Sequence, residues 1–229
     1  MDQSYQVTQW YPKPAVYDKN GWHPMPYLDQ GEFYGEFANY DVRITLPENY
    51  VVAATGDLQN DEEKKWLRQR GGPLVKRTAI KKFPAKPVKK SDIPQTNSVI
   101  PSSPNSKTLR YLQDNVHDFA WFADKYFGVQ YDTIKLSSGR VVDAYSYYSS
   151  DGEKWWKNSM GMIKDAVHFR SALIGEYPFN VVTAVEAPIG FEGGMEYPTI
   201  TSISPLPDEK SLDITIGHEI GHNWFYGIL

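Results

Sequence analysis

The stretch LDITIGHEIGHNWFYGIL, residues 212–229, contains the pattern His-Glu-x-x-His at positions 218–222. On an α-helix, side chains four residues apart lie on the same face, one turn above the other. His218 and His222 can therefore offer two imidazole nitrogens to one cation. Glu219 projects beside that cation, where it can take a proton from a water that the metal holds. The pattern predicts a hydrolytic zinc site.

The helix that carries this motif also has a structural interpretation, an ordinary buried helix with two hydrogen-bonded histidines. Gly217 and Gly221 bracket the middle of the motif, and each glycine costs a helix about 1 kcal/mol relative to alanine. We therefore expect another element to pack closely against this helix. Ser211 or Asp213 is expected to cap its beginning.

A second motif, GGMEYP, covers residues 193–198. Paired glycines let a ligand or another backbone approach closely. Glu196 in such an extended segment could point into a cleft, and the structural alternative is a bulged strand with a surface glutamate. The motif by itself favours the structural alternative.

Together, GGMEYP and HEIGHNWF resemble the aminopeptidase N-like zinc metallopeptidases, the gluzincin aminopeptidases, in which a Gly-x-Met-Glu-Asn motif precedes His-Glu-x-x-His. Trp224 matches the aromatic residue that follows the second histidine in that family. The segments DFAW, GEYPF and QWYPKPAVYD also resemble bacterial members. The resemblance therefore covers nearly the whole chain.

The resemblance implies a zinc cofactor, with His218 and His222 as ligands and Glu219 as the general base. Similar proteins take a third ligand, a glutamate further along, and a later catalytic tyrosine. No glutamate follows Glu219 here, whereas a catalytic zinc site normally has three protein ligands. We expect weak metal binding and little or no activity from this chain, unless Glu192, Glu196 or a neighbouring chain substitutes.

The resemblance also implies how a peptide substrate would bind. Glu196 would hold the free α-ammonium, Gly193 and Gly194 would offer backbone groups, and Met195 would lie at the same substrate site. An acidic cleft suits an ammonium, and residues 141–229 hold 12 acidic against 5 basic residues. Tyr197 replaces the family's asparagine, so anchoring beside the glutamate is expected to differ.

The chain as a whole predicts an α+β fold in two parts. Residues 1–124 are expected to be the C-terminal part of an N-terminal antiparallel β domain, including an irregular basic segment at 61–107. The resemblance implies that residues 125–229 are the N-terminal part of a thermolysin-like catalytic domain. The beginning lacks a signal peptide and the end lacks a helix stop signal, so we expect a chain cut at both ends.

Strand patterns dominate the first part. YDVRITL, residues 40–46, alternates apolar and polar side chains, as a half-buried strand does. VVAATG, residues 51–56, follows a turn and is expected to be its partner strand. GEFYGEF, residues 31–37, predicts a further strand. Residues 107–127 fit either a helix or a buried strand.

Helical periodicity appears in the second part. Ser150 and Glu153 match a capping box, and apolar residues then recur at helical spacing up to Gly175, which predicts one largely buried helix. Residues 180–186 predict a short strand, and residues 188–204 an extended, glycine-punctuated segment.

Composition limits the other partners. Residues 64–90 contain 11 Lys or Arg and no acid; the run is broken by prolines and lacks a nucleic-acid-binding motif, so a solvated loop or hairpin is favoured over nucleic-acid binding. Cysteine is absent, so a metal would need His, Asp or Glu. No apolar run is long enough for a membrane span. Neither compartment nor oligomeric state follows from the sequence.

These observations predict a zinc-dependent aminopeptidase that hydrolyses N-terminal residues from peptides. One alternative is a gluzincin endopeptidase, which would not need a free amine on its substrate. The other is a non-catalytic binding scaffold that keeps the peptidase fold and uses the basic segment.

Overall fold

The computed structural model describes residues 4–26, 33–70, 100–187 and 193–228. Its strands are β1 (Ser4–Val7), β2 (Val16–Asp18), β3 (Gly21–His23), β4 (Ala38–Pro47), β5 (Val51–Ala54), β6 (Asp57–Leu58), β7 (Ser106–Val116), β8 (Trp121–Asp124), β9 (Gly128–Lys135), β10 (Val141–Tyr148), β11 (Val181–Glu186), β12 (Gly194–Tyr197) and β13 (Ile200–Ile203). Its helices are α1 (Asp61–Gln69), α2 (Glu153–Trp156), α3 (Ser159–Leu173) and α4 (Glu209–Gly221).

A five-stranded mixed sheet organises the second half of the chain, in the order β12-β13-β11-β10-β9. Strands β10, β11 and β13 run parallel, and β9 and β12 pair antiparallel at the two edges. The predicted strand at 180–186 is confirmed as β11, which lies at the centre of this sheet and is buried along its whole length. The predicted extended segment contains β12 and β13.

Antiparallel pairs make up the first half, in the sheets β1-β8-β5 and β4-β7-β6 and the hairpin β2-β3. The alternation predicted for residues 40–46 is confirmed in β4, whose polar side chains are exposed. The predicted partner was wrong, because β4 pairs with β7 and β5 pairs with β8. Strands that follow one another along the chain were expected to pair, whereas β5 belongs to a different sheet from β4.

Two other local predictions are wrong, and a third, which was left open between helix and strand, is decided. The segment 61–107 was expected to be irregular, but it contains α1 and the start of β7; residues 71–99, which include most of the basic run, lie outside the described residues. Residues 107–127 form strands rather than a helix. Of the strand expected at 31–37, residues 33–37 are not strand, and β4 begins at Ala38.

The long helix predicted after the capping box is divided into α2 and α3. The N-cap of α2 is Gly152 and not the predicted Ser150, and this cap position has no side-chain hydrogen bond. The helix was expected to be largely buried, but Phe169 and Leu173 are exposed near its end. The pattern overestimated burial because only one face of α3 packs on the sheet.

Two apolar cores lie on opposite faces of the five-stranded sheet. Along β11, Val181 and Val185 belong to the core shared with the N-terminal strands, and Val182 and Ala184 to the core beneath the helices. The strand therefore separates an N-terminal β layer from a helical layer. The α+β class is confirmed, and no helix among the described residues is long and apolar enough to cross a membrane.

Candidate metal and substrate site

The helix α4 carries the His-Glu-x-x-His motif and begins at a defined cap. Asp208 is the N-cap, and its Oδ1 accepts a hydrogen bond from the Ser211 backbone N–H at 2.8 Å. The sequence had favoured Ser211 or Asp213 for this role, which is wrong by about one helical turn. At the other end of α4, His218 lies in the last turn and His222 is the C-cap residue.

The two motif histidines face each other across one turn. Their Nε2 atoms are 3.2 Å apart, and their ring planes are nearly perpendicular, with centroids 4.8 Å apart. His218 is exposed and His222 is half-buried. Two nitrogens bound to a tetrahedral zinc at about 2.05 Å would be about 3.3 Å apart, so the observed spacing matches that of two ligands on one ion.

Glu219 lies on the buried side of the same helix. It is 4% exposed, and its Oε2 has no hydrogen-bond partner among the described residues. Burial, and then the nearby charge of Glu196, raise the pKa of Glu219 to about 8. A buried carboxylate without a partner is unfavourable for stability, so its presence indicates a site that meets a ligand.

Gly194 makes room for this carboxylate. A Cβ at position 194 would overlap the Cγ, Cδ and Oε1 atoms of Glu219. Gly193, one residue earlier, has a φ of 124°, which favours glycine. Gly194 thus lets β12 pass directly over α4, and Gly193 allows the backbone conformation that precedes it.

Glu196 is carried by β12, the strand at the edge of the five-stranded sheet within the described chain. One ligand atom each from Glu196, Glu219 and His222 lie within 4.8 Å of one another. His218 is outside that group and joins it through His222. The fold therefore assembles four residues that the sequence singled out from two separate motifs.

The remaining predicted residues differ in their roles. Met195 packs against the apolar core shared with the N-terminal strands, and Tyr197 is buried. Glu192, one suggested substitute ligand, lies outside the described residues. Close packing was expected at both helix glycines: Gly221 does lie against the Arg170 guanidinium, where a Cβ would be crowded, but nothing lies within 4 Å of a Cβ at Gly217.

The side chains gathered at this site suit zinc. Imidazole nitrogens and carboxylate oxygens are the ligands that zinc accepts in proteins without cysteine. His218 and His222 would hold the ion, and the spacing of their Nε2 atoms suits it. Glu196 and Glu219 bring negative charge to the same place. The residues present therefore fit a zinc ion, although the two imidazoles alone do not complete a three-ligand set.

Several residues around the site had no signal in the sequence analysis. Thr199 and Asn223 are buried and joined by a hydrogen bond of 2.9 Å between the Thr199 N–H and Asn223 Oδ1. His117 packs against Tyr226 with ring centroids 4.4 Å apart, just beyond the metal helix. The position of Asn223 directly after His222 could have drawn attention to it, whereas the other contacts depend on the tertiary fold.

No family model matches this chain, and a search of curated proteins finds no match. Solved structures do match its fold. The M1 zinc metallopeptidase from Deinococcus radiodurans has a TM-score of 0.50 and 16% identity, with 83% of this chain covering 35% of that protein. Legionella pneumophila aminopeptidase A, solved with aspartic acid, has a TM-score of 0.53 and 14% identity, with 82% of this chain covering 20% of that protein.

These comparisons establish the fold that the chain shares with zinc metallopeptidase structures. The identities of 14% and 16% are too low to transfer residue roles. The chain corresponds to about a third or less of the length of those proteins. What this chain does must therefore be argued from its own residues.

Proposed function

We propose that this chain carries the metal-binding and amine-binding residues of a zinc-dependent aminopeptidase, which removes N-terminal residues from peptides. The observation that carries the proposal is the convergence of Glu196, Glu219 and His222 within 4.8 Å, beside the paired imidazoles. In this proposal residues 1–124 belong to an N-terminal β domain, and residues 125–229 begin a thermolysin-like catalytic domain. The fold shared with zinc metallopeptidase structures is consistent with it.

The metal-side chemistry is divided between the histidines and Glu219. When bound, zinc polarises a carbonyl and lowers the pKa of a water molecule. His218 and His222 would hold the ion in place. Glu219 would accept the proton of the attacking water and pass it to the departing amine, as a general base and then a general acid. Its buried, unpartnered Oε2 provides the free acceptor that this role needs.

The substrate-side chemistry belongs to β12. Glu196 would bind the α-ammonium of the peptide, because a carboxylate stabilises an ammonium that leaves water for a cleft. The backbone of Gly193 and Gly194 would face the peptide, since an edge strand can accept an extended chain as one further strand. With the α-ammonium held at Glu196, close to His222 and Glu219, the bond nearest the free amine would be the one presented for hydrolysis, as an exopeptidase requires.

The two imidazoles also limit the activity expected of the chain. Catalytic zinc sites normally combine three protein ligands with one open position. With two, zinc should bind weakly, and this chain by itself should hydrolyse peptides slowly or not at all. Binding measurements are therefore more informative than turnover.

Zinc binding tests the metal site directly. Titration of the metal-free chain with zinc, followed by calorimetry, should show one site. His222→Ala should weaken binding at least about tenfold, because one of the two protein ligands is lost. His168→Ala is the matched control, since His168 is an exposed histidine on α3 outside the site. A chain that binds no zinc, or binds it equally well after His222→Ala, would contradict the proposed metal site.

Recognition of the amine is tested with leucine amide and N-acetyl-leucine amide. The zinc-loaded chain should bind the free amine more tightly, by about tenfold or more, as a charge-assisted hydrogen bond would provide. Glu196→Ala should abolish the difference, and Glu196→Gln should abolish most of it. Equal binding of both ligands by the unaltered chain would favour an endopeptidase. Failure to bind zinc or either ligand would favour the non-catalytic scaffold.

A further inference from the structure

Thr199 has an unusual backbone conformation beside the candidate site. It occupies the turn between β12 and β13, is fully buried, and has a φ of 66°. A β-branched residue is rarely found at a positive φ, because its side chain is crowded there. Such a conformation persists only when the surrounding structure holds it in place. The contacts of Thr199 show what holds it.

Three parts of the fold are tied together by Thr199. Its N–H donates to Asn223 Oδ1 at 2.9 Å, and its carbonyl accepts from the Thr183 N–H of β11 at 2.8 Å. Its Oγ1 accepts from the Gly56 N–H at 2.8 Å. The backbone and side chain of one buried residue thus connect the central strand, the N-terminal β layer and the residue that follows the second motif histidine.

Asn223 connects Thr199 to α4, the helix that carries the motif histidines. It is 5% exposed, follows His222 directly, and its Nδ2 donates to the Ile220 carbonyl at 3.2 Å. The Asn223 N–H also donates to the Ile220 carbonyl, at 3.1 Å, so both nitrogens of Asn223 bind the last turn of α4 while its Oδ1 accepts from Thr199. One side chain therefore joins the end of α4 to the turn after β12.

We infer that Thr199 and Asn223 are positioning residues that fix the edge strand β12, and with it Glu196, relative to His222 and Glu219. The inference rests on the proposed function and extends it to two residues that touch neither metal nor substrate. The Thr199–Asn223 hydrogen bond sets the separation of the two elements, because Glu196 is three residues before Thr199 and His222 is one before Asn223. Outer residues that orient metal ligands typically change metal affinity 10- to 100-fold when replaced.

Gly56 extends this connection to the N-terminal β layer. Its φ is 84°, and a Cβ there would overlap the Leu112 carbonyl oxygen, so a side chain at position 56 would displace the N–H that reaches Thr199. The N-terminal strands therefore contribute to the site through one hydrogen bond to Thr199 Oγ1. Thr199→Val removes that bond alone and should have a smaller effect than a change at Asn223.

The test compares Asn223→Ala with a matched control, Asn60→Ala. Asn60 makes the same pair of bonds elsewhere: its Oδ1 accepts from the Arg110 N–H at 2.8 Å and its Nδ2 donates to the Thr108 carbonyl at 3.2 Å. Asn223→Ala should weaken zinc binding about tenfold or more. Asn60→Ala should leave zinc affinity unchanged. Asn223→Asp, which keeps the acceptor, should recover most of the affinity.

A second measurement tests the position of β12 relative to α4 in the absence of metal. In the chain as it stands, the Gly194 Hα protons lie against the Glu219 side chain, so nuclear Overhauser effects should join them. Asn223→Ala should weaken these effects, while Asn60→Ala should not. Unchanged effects and unchanged zinc affinity in Asn223→Ala would overturn the inference, as would an equal loss in Asn60→Ala. If the unaltered chain binds no zinc but the effects depend on Asn223, the proposed function fails and the positioning role stands.

Discussion

Two helices of this molecule each place a glutamate against a neighbouring strand, Glu63 with a side chain 10% exposed and Glu219 at 4%, and the two glutamates differ in what they contact. Glu63 of α1 lies 2.6 Å from the ammonium of Lys107 on β7, and that ammonium also lies over the Trp66 ring. Glu219 of α4 faces Gly194 of β12 with one oxygen unpartnered among the described residues. In both places a helix presents a glutamate to a strand, but Glu63 is paired with Lys107 whereas Glu219 Oε2 is unpaired among the described residues.

The difference distinguishes a structural carboxylate, Glu63, from the one that we propose to be functional, Glu219. Burial raises the pKa of Glu63 and lowers the pKa of Lys107, and their mutual attraction offsets only part of both effects. The pair is nevertheless complete, and each group has a partner. Native proteins rarely leave buried polar groups unpaired, and exceptions concentrate where a ligand binds. Glu219 is such an exception, in the place where the motif histidines converge.

Breaking the ion pair between Glu63 and Lys107 should produce the largest effect on stability. Lys107→Met removes the ammonium and leaves Glu63 buried without its partner, which should lower the free energy of unfolding by about 4 kcal/mol. Urea unfolding at pH 7 measures the change. The double variant Glu63→Leu with Lys107→Met should recover most of the loss, because both charges are then absent. A loss below about 1 kcal/mol in the single variant would mean that the pair behaves like an exposed one.

His117 is another buried residue with an unsatisfied side-chain atom. Its Nδ1 has no hydrogen-bond partner within the described residues, and its ring lies between Phe37 and Tyr226. Burial lowers the pKa of His117 to about 4, with Asp118 opposing the shift and Lys13 adding to it. The imidazole is therefore neutral in the folded chain at pH values where the unfolded chain already binds a proton.

The direction of this pKa shift determines how the stability of the chain depends on pH. The pKa of His117 is lower in the folded chain than its unfolded value of about 6.5. The contribution of neutral His117 to stability is therefore complete above that pH. It is lost as pH falls toward 4, because the unfolded chain binds a proton first. Between pH 7 and pH 4 the chain should lose about 3 kcal/mol more stability than His117→Gln, which has no such titration. Urea unfolding of both proteins at several pH values gives the difference. Parallel curves would show that His117 accepts a proton without disturbing its surroundings.

The parts of the fold that the sequence predicted correctly are those set by local periodicity. The alternation in residues 40–46 and the β-branched run at 180–186 identified β4 and β11, because each strand presents its apolar side chains to a core. Partner choice was not predictable in the same way. The strand β5 follows β4 after a short turn but pairs with β8, since pairing depends on how distant segments pack.

The candidate site shows the same limit. Residue types and helical spacing identified His218, Glu219 and His222 as a unit, and glycines identified the strand that carries Glu196. The hydrogen bond from Thr199 to Asn223 had no such signal. A threonine at positive φ contradicts local preference, and only the tertiary contacts of a buried turn make it possible.

The smallest effect expected is also the one that most directly contrasts Glu219 with Glu63. Glu219→Gln keeps the shape of the side chain and removes a charge that is buried near Glu196. In the metal-free chain, with chelator present, this change should raise the free energy of unfolding by about 1 kcal/mol, because a neutral amide is less costly to bury than a carboxylate. Urea unfolding at pH 8.5 measures it.

Asp213→Asn is the control for this change, since Asp213 lies on the exposed side of the same helix and its replacement should alter stability by less than about 0.5 kcal/mol. A loss of stability in Glu219→Gln, comparable to that of Lys107→Met, would show that Glu219 is held by a partner and is structural like Glu63. A gain would show that the ionised Glu219 lowers the stability of the fold at this pH, which lies above its raised pKa of about 8. Such a cost is expected of a general base that must remain free to accept a proton.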